Sequence, residues 1–380
     1  MKSLKDFLIE ANINDLITFL NDNNVDIDNA LSILKKHHSK GGINKELYEE
    51  FFRKHGLSEL NWGKKNSALK QFVDLFAEED NLEKLKEIIE NNGVVSIGDI
   101  AIEGNLFKMY CGGFEEEAKT ISTWTNSRSS NTGPGEILLK FIIKEGYTGP
   151  VGDVGILPNK EMEVKASTLN GSQIGSGGHA AGQKGDIRKT WSIYAYLTKN
   201  LFGENIDDGD ADKMTYFQNN EGIKNFSKKL EENNLTDNIK NISDNLVNAL
   251  LYQYRFIKND GKPDKDFNKI NKNLLYKNAF TLFNSVINKK GINDNDTFID
   301  IIGAIQLYLY CLVEDFDYFC CLLLDKSETS NSKNNGDYIL FKNPKSDLLN
   351  FKYVLDKLHF GKLDSATSTQ GRTGKIYFRK

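Results

Sequence analysis

Apolar and polar residues follow two different patterns along the chain, which predict helical segments and segments that mix strands with helices. Between residues 7 and 20 apolar side chains recur at nearly helical spacing, and similar stretches follow up to residue 92. They predict an N-terminal helical domain over residues 1–92. Residues 203–295, an Asn- and Lys-rich stretch, show the same helical spacing of apolar side chains. We interpret that stretch as a helical insertion between two parts of one core.

The segment between these helical regions, residues 93–202, mixes strand and helix patterns. Val94 to Ile102 alternates like a strand, Pro134 begins an apolar helix pattern, and Trp191 to Leu201 is apolar enough for a packed helix. The segment therefore predicts the first part of an α/β core.

The last segment, residues 296–380, returns to the same mixed character. One helix, two buried strands and a last edge strand are predicted, in that order, at residues 298–313, 318–324, 338–341 and 376–378. This segment predicts the second part of the α/β core, followed by a basic tail.

Residues 151–167 predict a β-hairpin that carries polar side chains on one face. Side chains two apart on a strand point the same way, so Glu163 and Lys165 share a face while their neighbours point into a core. Asp153, on the first strand, comes close to that polar face, and we expect Glu163 to face solvent. Two carboxylates and one ammonium at a strand edge suit a hard cation with a water molecule beside it.

This arrangement resembles the PD-(D/E)xK nuclease superfamily. In that family an Asp and the Glu of the E-x-K motif bind Mg²⁺, and the Lys orients or activates the attacking water; here these are Asp153, Glu163 and Lys165. An acidic residue on the preceding helix often adds a metal ligand, and Glu136 matches it. The resemblance implies Mg²⁺ as cofactor, with Mn²⁺ as a substitute. It also implies a restriction-endonuclease-like core, an α/β fold with a mixed central sheet flanked by helices.

The sequence departs from the family motif at one position, and the E-x-K pair also has a simpler structural explanation. Pro150 lies three residues before Asp153 instead of directly before it. An E-x-K pair on a strand is also often only a solvated face with a cross-strand charge pair. Three features favour the nuclease interpretation: the Asp at a suitable separation on the hairpin, the glutamate-bearing helix before it, and the glycine-rich loop after it.

A second pattern of the same superfamily lies in the predicted helix over residues 298–313. Gln306 and Tyr310 are four residues apart and share a helix face. The superfamily often carries a Q-x-x-x-Y helix near its site, so the resemblance implies a supporting role for both residues. The pattern favours phage exonuclease or repair relatives, whereas the long helical additions favour an endonuclease with its own recognition parts.

Polar loops on either side of the hairpin predict contacts with DNA. Residues 169–185 contain six glycines, which allow the backbone to approach a ligand closely. The nearby side chains predicted to reach phosphates are Gln183, Lys184 and Arg188. Arg128 lies in the polar loop that precedes the helix, although such a loop is also commonly only a connector.

The charge distribution is more informative than the net charge of −4. Residues 1–120 contain 15 basic and 22 acidic residues, whereas residues 342–380 contain 9 basic and 3 acidic residues. The basic tail is able to face phosphates, although a Lys-rich tail is equally explained by solubility.

The composition also bears on the compartment. No apolar run approaches the ~20 residues needed to span a membrane, and the N-terminus does not resemble a signal peptide. The four cysteines lack C-x-x-C spacing, which favours a reducing compartment without disulfides or a zinc site. We therefore predict a cytoplasmic protein, in a bacterium or in the host cell if a phage encodes it.

The sequence as a whole predicts a Mg²⁺-dependent deoxyribonuclease of phage or restriction type that acts as an endonuclease on DNA. The resemblance makes a homodimer natural for cleavage of both strands. The alternative is a non-catalytic DNA-binding or virion-associated protein that retains a nuclease-like core.

Overall fold

The computed structural model describes residues 79–122, 134–147, 153–167, 172–173, 191–205, 220–264, 266–292, 294–324, 335–361 and 375–378. These residues fall into two compact units. The first lies within Met1–Ala166 and Cys320–Leu340, and the second within Ser167–Phe319 and Phe341–Lys380. The predicted N-terminal helical domain lies outside the described residues up to position 78. The boundaries between the four predicted segments stay predictions.

Nine strands and eleven α-helices lie within the described ranges. The strands are β1 Glu103–Asn105, β2 Gly146–Tyr147, β3 Val154–Ile156, β4 Lys160–Ser167, β5 Ser172–Gln173, β6 Tyr318–Leu323, β7 Asp337–Phe341, β8 Leu358–Gly361 and β9 Lys375–Phe378. The helices are α1 Glu79–Glu90, α2 Leu106–Tyr110, α3 Glu115–Ile121, α4 Pro134–Ile142, α5 Trp191–Phe202, α6 Asn220–Glu232, α7 Ile239–Gln253, α8 Lys272–Lys290, α9 Asn295–Glu314, α10 Pro344–Asp347 and α11 Phe351–Lys357. A single 3₁₀ turn, Phe267–Lys269, precedes α8.

A mixed six-stranded sheet forms the centre of the first unit, with the strand order β1-β7-β6-β4-β3-β2. Helix α4 packs against β2 and β3. The apolar side chains of α4, which the sequence pattern indicated, are buried at positions 137, 138, 141 and 142. The predicted α/β class, with a mixed central sheet flanked by helices, is therefore confirmed.

The predicted hairpin and the helix before it are both confirmed. Strands β3 and β4 pair antiparallel, with Val154 opposite Met162 and Ile156 opposite Lys160. Met162 and Val164 point into the core, since they are 0% and 5% exposed. Helix α4 begins at Pro134, where a proline is well tolerated because the first helical N–H has no partner within the helix.

The predicted strand over residues 94–102 is wrong. The amides of Val94 and Val95 both donate to the carbonyl of Ile142, at 2.7 and 3.0 Å. Val95 forms only an isolated parallel bridge with Ile143, and Asp99 N closes a turn onto Ser96 O. The start of the segment therefore satisfies a carbonyl in the last turn of α4, and residues 94–102 form no strand of the sheet.

The second unit is mainly helical, and its helices agree with the sequence pattern. Helices α5 and α9 cover the segments predicted as apolar helices, and α6, α7 and α8 lie in the predicted insertion. Helix α9 is the most deeply buried, with Phe298, Ile305 and Leu309 fully covered. No helix in the described ranges has both the length and the apolar character needed to cross a bilayer.

A second sheet of three strands, in the order β5-β9-β8, belongs to the second unit. The prediction that residues 376–378 form an edge strand is wrong, because β9 pairs antiparallel with strands on both sides. Ile376 lies opposite Ser172 of β5 and opposite Phe360 of β8, and it is fully buried. A local pattern reveals the strand but not the distant partners on its two sides.

Candidate metal centre

The hairpin places the two predicted acidic residues across from each other. The register pairs Val154 with Met162, and continuing it by one residue sets Asp153 opposite Glu163. Residues directly opposite on antiparallel strands have Cβ atoms ~4.5–5.5 Å apart, and like charges in that position destabilise the pair. The two carboxyl groups are thus held together against their mutual repulsion.

Asp153 is fixed to the second strand by its own side chain. Its Oδ2 accepts a hydrogen bond from the backbone N–H of Val164 at 2.9 Å. Burial raises the pKa of Asp153 to about 8, and the Glu163 and Glu136 carboxylates act in the same direction, against Lys165 and the Val164 hydrogen bond. The local environment therefore disfavours a charged Asp153 unless another cation approaches.

Glu163 and Lys165 form an ion pair through Glu163 Oε1 and Lys165 Nζ. Their side chains are only 7% and 15% exposed, so the expectation that Glu163 faces solvent is wrong. Strand alternation identifies the face on which a side chain lies, but it does not show whether other parts of the protein cover that face. Burial disfavours the charged form of Lys165, but the Glu163 and Asp153 carboxylates outweigh it and raise the pKa of this lysine.

Helix α4 contributes two further charged groups. Glu136, in its first turn, is half-buried and acts electrostatically on both Asp153 and Lys165. Lys140, one turn later, is only 3% exposed. Burial lowers the pKa of Lys140, and the charges of Glu136 and Asp153 oppose this change. The structure thus brings Glu136, Asp153, Glu163, Lys165 and Lys140 into one electrostatic cluster.

Sequence reasoning missed Lys140, although a signal for it existed. A lysine interrupts the apolar stretch of α4 and lies four residues after Glu136, which places the two side chains on one helix face. A charged residue within a helix that is otherwise apolar indicates a buried partner. Two acidic residues act on Lys140: Glu136 lies on the same helix, and Asp153 lies just before β3.

The beginning of α4 lies very close to the sheet at Gly135. A Cβ at this position would lie 2.9 Å from the Cβ of Ala166 and 3.4 Å from Cγ1 of Val164. Only glycine allows this approach, which sets the distance between the strand β4 and the helical turn that carries Glu136. Glu136 therefore depends on Gly135 for its position in the cluster.

Gly135→Ala is expected to destabilise the protein by about 1–3 kcal/mol, the usual cost of overpacking. The helix must also move away from β4 with Glu136, so Mn²⁺ binding should weaken. Urea denaturation and calorimetric titration measure the two effects. Gly98→Ala is the control, since a Cβ there meets nothing within 4 Å. If both variants behaved like wild type, α4 would not depend on this close contact.

The donor set suits a hard divalent cation. Within the described ranges, no group of three His, Cys, Asp or Glu side chains lies close enough together to hold an ion as it stands. Mg²⁺ does not require three, because it is usually bound by one or two carboxylates while water completes the octahedron. Asp153 and Glu163 supply two opposed carboxyl groups. Burial, with the Glu163 and Glu136 carboxylates acting in the same direction, raises the pKa of Asp153, and a bound cation would favour its charged form.

The remaining predicted site residues lie either in the second unit or outside the described residues. Gln306 and Tyr310 belong to the second unit, where Gln306 Nε2 donates to Gln253 Oε1 at 2.9 Å and both glutamines are fully buried. The ring of Tyr310 packs edge-on against Phe316. Their supporting role stays a prediction. The predicted DNA-contacting residues Arg128, Gln183, Lys184 and Arg188 lie outside the described residues.

No protein-family model, no curated protein and no solved structure matches this chain. The likeness to PD-(D/E)xK nucleases rests on the quoted residues alone and stays a prediction. What the structure adds is the local geometry of those residues in a six-stranded α/β unit.

Proposed function

We propose that the protein is a Mg²⁺-dependent endodeoxyribonuclease with a restriction-endonuclease-like core. The observation that carries the proposal is the placement of Asp153 opposite Glu163, with Lys165 ion-paired to Glu163, on one hairpin of a mixed sheet. Charged residues are rarely buried without a partner, and three largely buried ones at one position on a sheet need an explanation beyond packing. Binding and hydrolysing a phosphodiester explains all three.

Asp153 and Glu163 would hold the ion through carboxylate oxygens, and Glu136 would support it from α4. When bound, Mg²⁺ lowers the pKa of a water ligand and offsets charge on the scissile phosphate, and Mn²⁺ provides the same chemistry. The hydrogen bond from Val164 N orients Asp153 before any ion binds. Little reorganisation is then needed at that carboxyl.

Lys165 acts as a hydrogen-bond donor and not as a general base. Its pKa lies above the usual lysine value because Glu163 and Asp153 outweigh its burial, so its ammonium is retained at neutral pH. A protonated lysine has three N–H donors and no acceptor, so it cannot take a proton from water. It is suited to orienting the attacking water and to stabilising the negative charge that develops on phosphate.

The substrate is assigned as DNA by the family likeness and by charge. Residues 342–380 carry 9 basic and 3 acidic residues, which favours contact with phosphates. The family likeness also favours a homodimer for cleavage of both strands, in a phage or restriction context.

The test is incubation of supercoiled plasmid with the protein and Mg²⁺, Mn²⁺, Ca²⁺ or EDTA. We expect nicked and linear products with Mg²⁺ and Mn²⁺ and none with EDTA; cleavage of a covalently closed circle separates endonuclease from exonuclease action. Lys165→Ala should lose activity. Lys160→Ala, an exposed lysine on the same strand, should keep it. Metal-independent DNA binding without any nicking would replace this proposal with the non-catalytic alternative.

A further inference from the structure

Lys140 is a buried lysine in an otherwise apolar helix. It is 3% exposed, and its neighbours Leu139 and Phe141 are 3% and 1% exposed. Lysine is almost never this deeply buried unless it is paired, because removing an ammonium from water is costly. Lys140 is therefore not an ordinary surface lysine, and its burial needs a compensating interaction inside the protein.

The charges that act on Lys140 are those of the candidate metal centre. Glu136 lies one helical turn before it, and the charges of Glu136 and Asp153 both favour its ammonium form. Lys165 is held by the third carboxylate, Glu163. The cluster therefore combines three carboxyl groups with two ammonium groups that act on one another electrostatically.

We propose that Lys140 is a positioning residue that serves as the internal counter-cation of the centre, holding Glu136 and Asp153 in place and limiting how tightly a divalent ion binds. The second part rests on the proposed function, since it presumes a metal site. The first part concerns the protein without metal and stands on the burial and charges of the cluster. A fixed positive charge beside a cation site repels the incoming ion, so its removal should tighten binding.

The first experiment measures Mn²⁺ binding by calorimetry in wild type, Lys140→Met and Lys119→Met. Methionine keeps the length and apolar stem of the lysine without its charge. We expect Lys140→Met to bind Mn²⁺ on the order of tenfold more tightly, because the variant no longer places a positive charge near the incoming ion. Lys119→Met removes an ammonium whose side chain is 41% exposed and should leave the affinity unchanged. Equal affinity in wild type and Lys140→Met would overturn the proposed limit on ion binding.

The second experiment is a double-mutant cycle in EDTA with Glu136→Gln, Lys140→Met and the combined variant. If the two groups hold each other, their effects on the urea midpoint should not add, and the combined variant should be more stable than the sum of the single changes indicates. Additive effects would overturn the counter-cation role. If wild type bound no Mn²⁺ at all, the metal site would be wrong, and this cycle alone would decide whether Lys140 positions Glu136.

Discussion

Asp153→Asn is expected to abolish Mg²⁺-dependent plasmid nicking without unfolding the protein. Asparagine keeps the size of the side chain and an oxygen that can accept the hydrogen bond from Val164 N. It removes one of two opposed carboxylates, so a divalent ion loses a charged ligand. The loss of cleavage should exceed about 100-fold, the upper range for removal of even an outer partner of a metal ligand. A nicking time course measures it.

The same variant should be at least as stable as wild type in EDTA, and the difference should depend on pH. The pKa of Asp153 is raised to about 8 in the folded protein, from an ordinary value of about 4 in the unfolded chain. The folded state thus binds this proton more tightly, and wild type loses stability as pH rises from about 4 to about 8. The amide that replaces this carboxyl in the variant does not titrate over that range.

Thermal unfolding of wild type and Asp153→Asn between pH 5 and pH 8.5, in steps of about half a unit, measures the difference in their folding stability. The advantage of Asp153→Asn should widen towards pH 8. A variant that unfolds at every pH, or a gap that narrows as pH rises, would show that Asp153 stabilises the fold and is not crowded by carboxylates.

Lys165→Met is expected to cost about 3–5 kcal/mol of folding stability in EDTA, the usual penalty for removing one partner of a buried ion pair. The Glu163 carboxylate would remain 7% exposed with Asp153 across from it and no ammonium bound. Cleavage should be lost as well, since the ammonium proposed to orient the attacking water would be gone. Urea denaturation and plasmid nicking measure the two losses separately.

Two variants separate charge from packing at this pair. Glu163→Gln/Lys165→Met should recover most of the lost stability but no activity, because an uncharged pair needs no counter-ion. Lys160→Met removes an exposed lysine from the same strand and should change stability by less than about 0.5 kcal/mol. If Lys165→Met and Lys160→Met were equally stable, the ion pair would contribute nothing, and the acidic cluster would not depend on it.

The sequence was sufficient to predict the hairpin and the helix of the candidate site, because both follow from local rules. Alternation placed Met162 and Val164 in the core, and Pro134 marked the start of α4. The opposition of Asp153 and Glu163 also follows locally, since a short turn leaves a hairpin few registers. These parts of the site depend on residues that are near each other in the chain.

Features that depend on distant partners were not predictable in the same way. The burial of Glu163 depends on what covers its face, and the central position of β9 depends on β5 and β8. The segment around Val94 and Val95 has a strand-like pattern, yet its amides bind the end of a helix. In each case the local pattern showed which positions are polar or apolar. Which groups surround or bind those positions was decided by tertiary structure.

Each of the two sheets joins strands from widely separated parts of the chain. Strand β4 at residues 160–167 has β6 at residues 318–323 as a neighbour, and β5 at residues 172–173 pairs with β9 at residues 375–378. On the ribosome, both sheets must therefore wait for segments that are synthesised late. Until then β4 and β5 lack these partners, and an unpaired strand edge is the feature through which partly synthesised chains associate with one another.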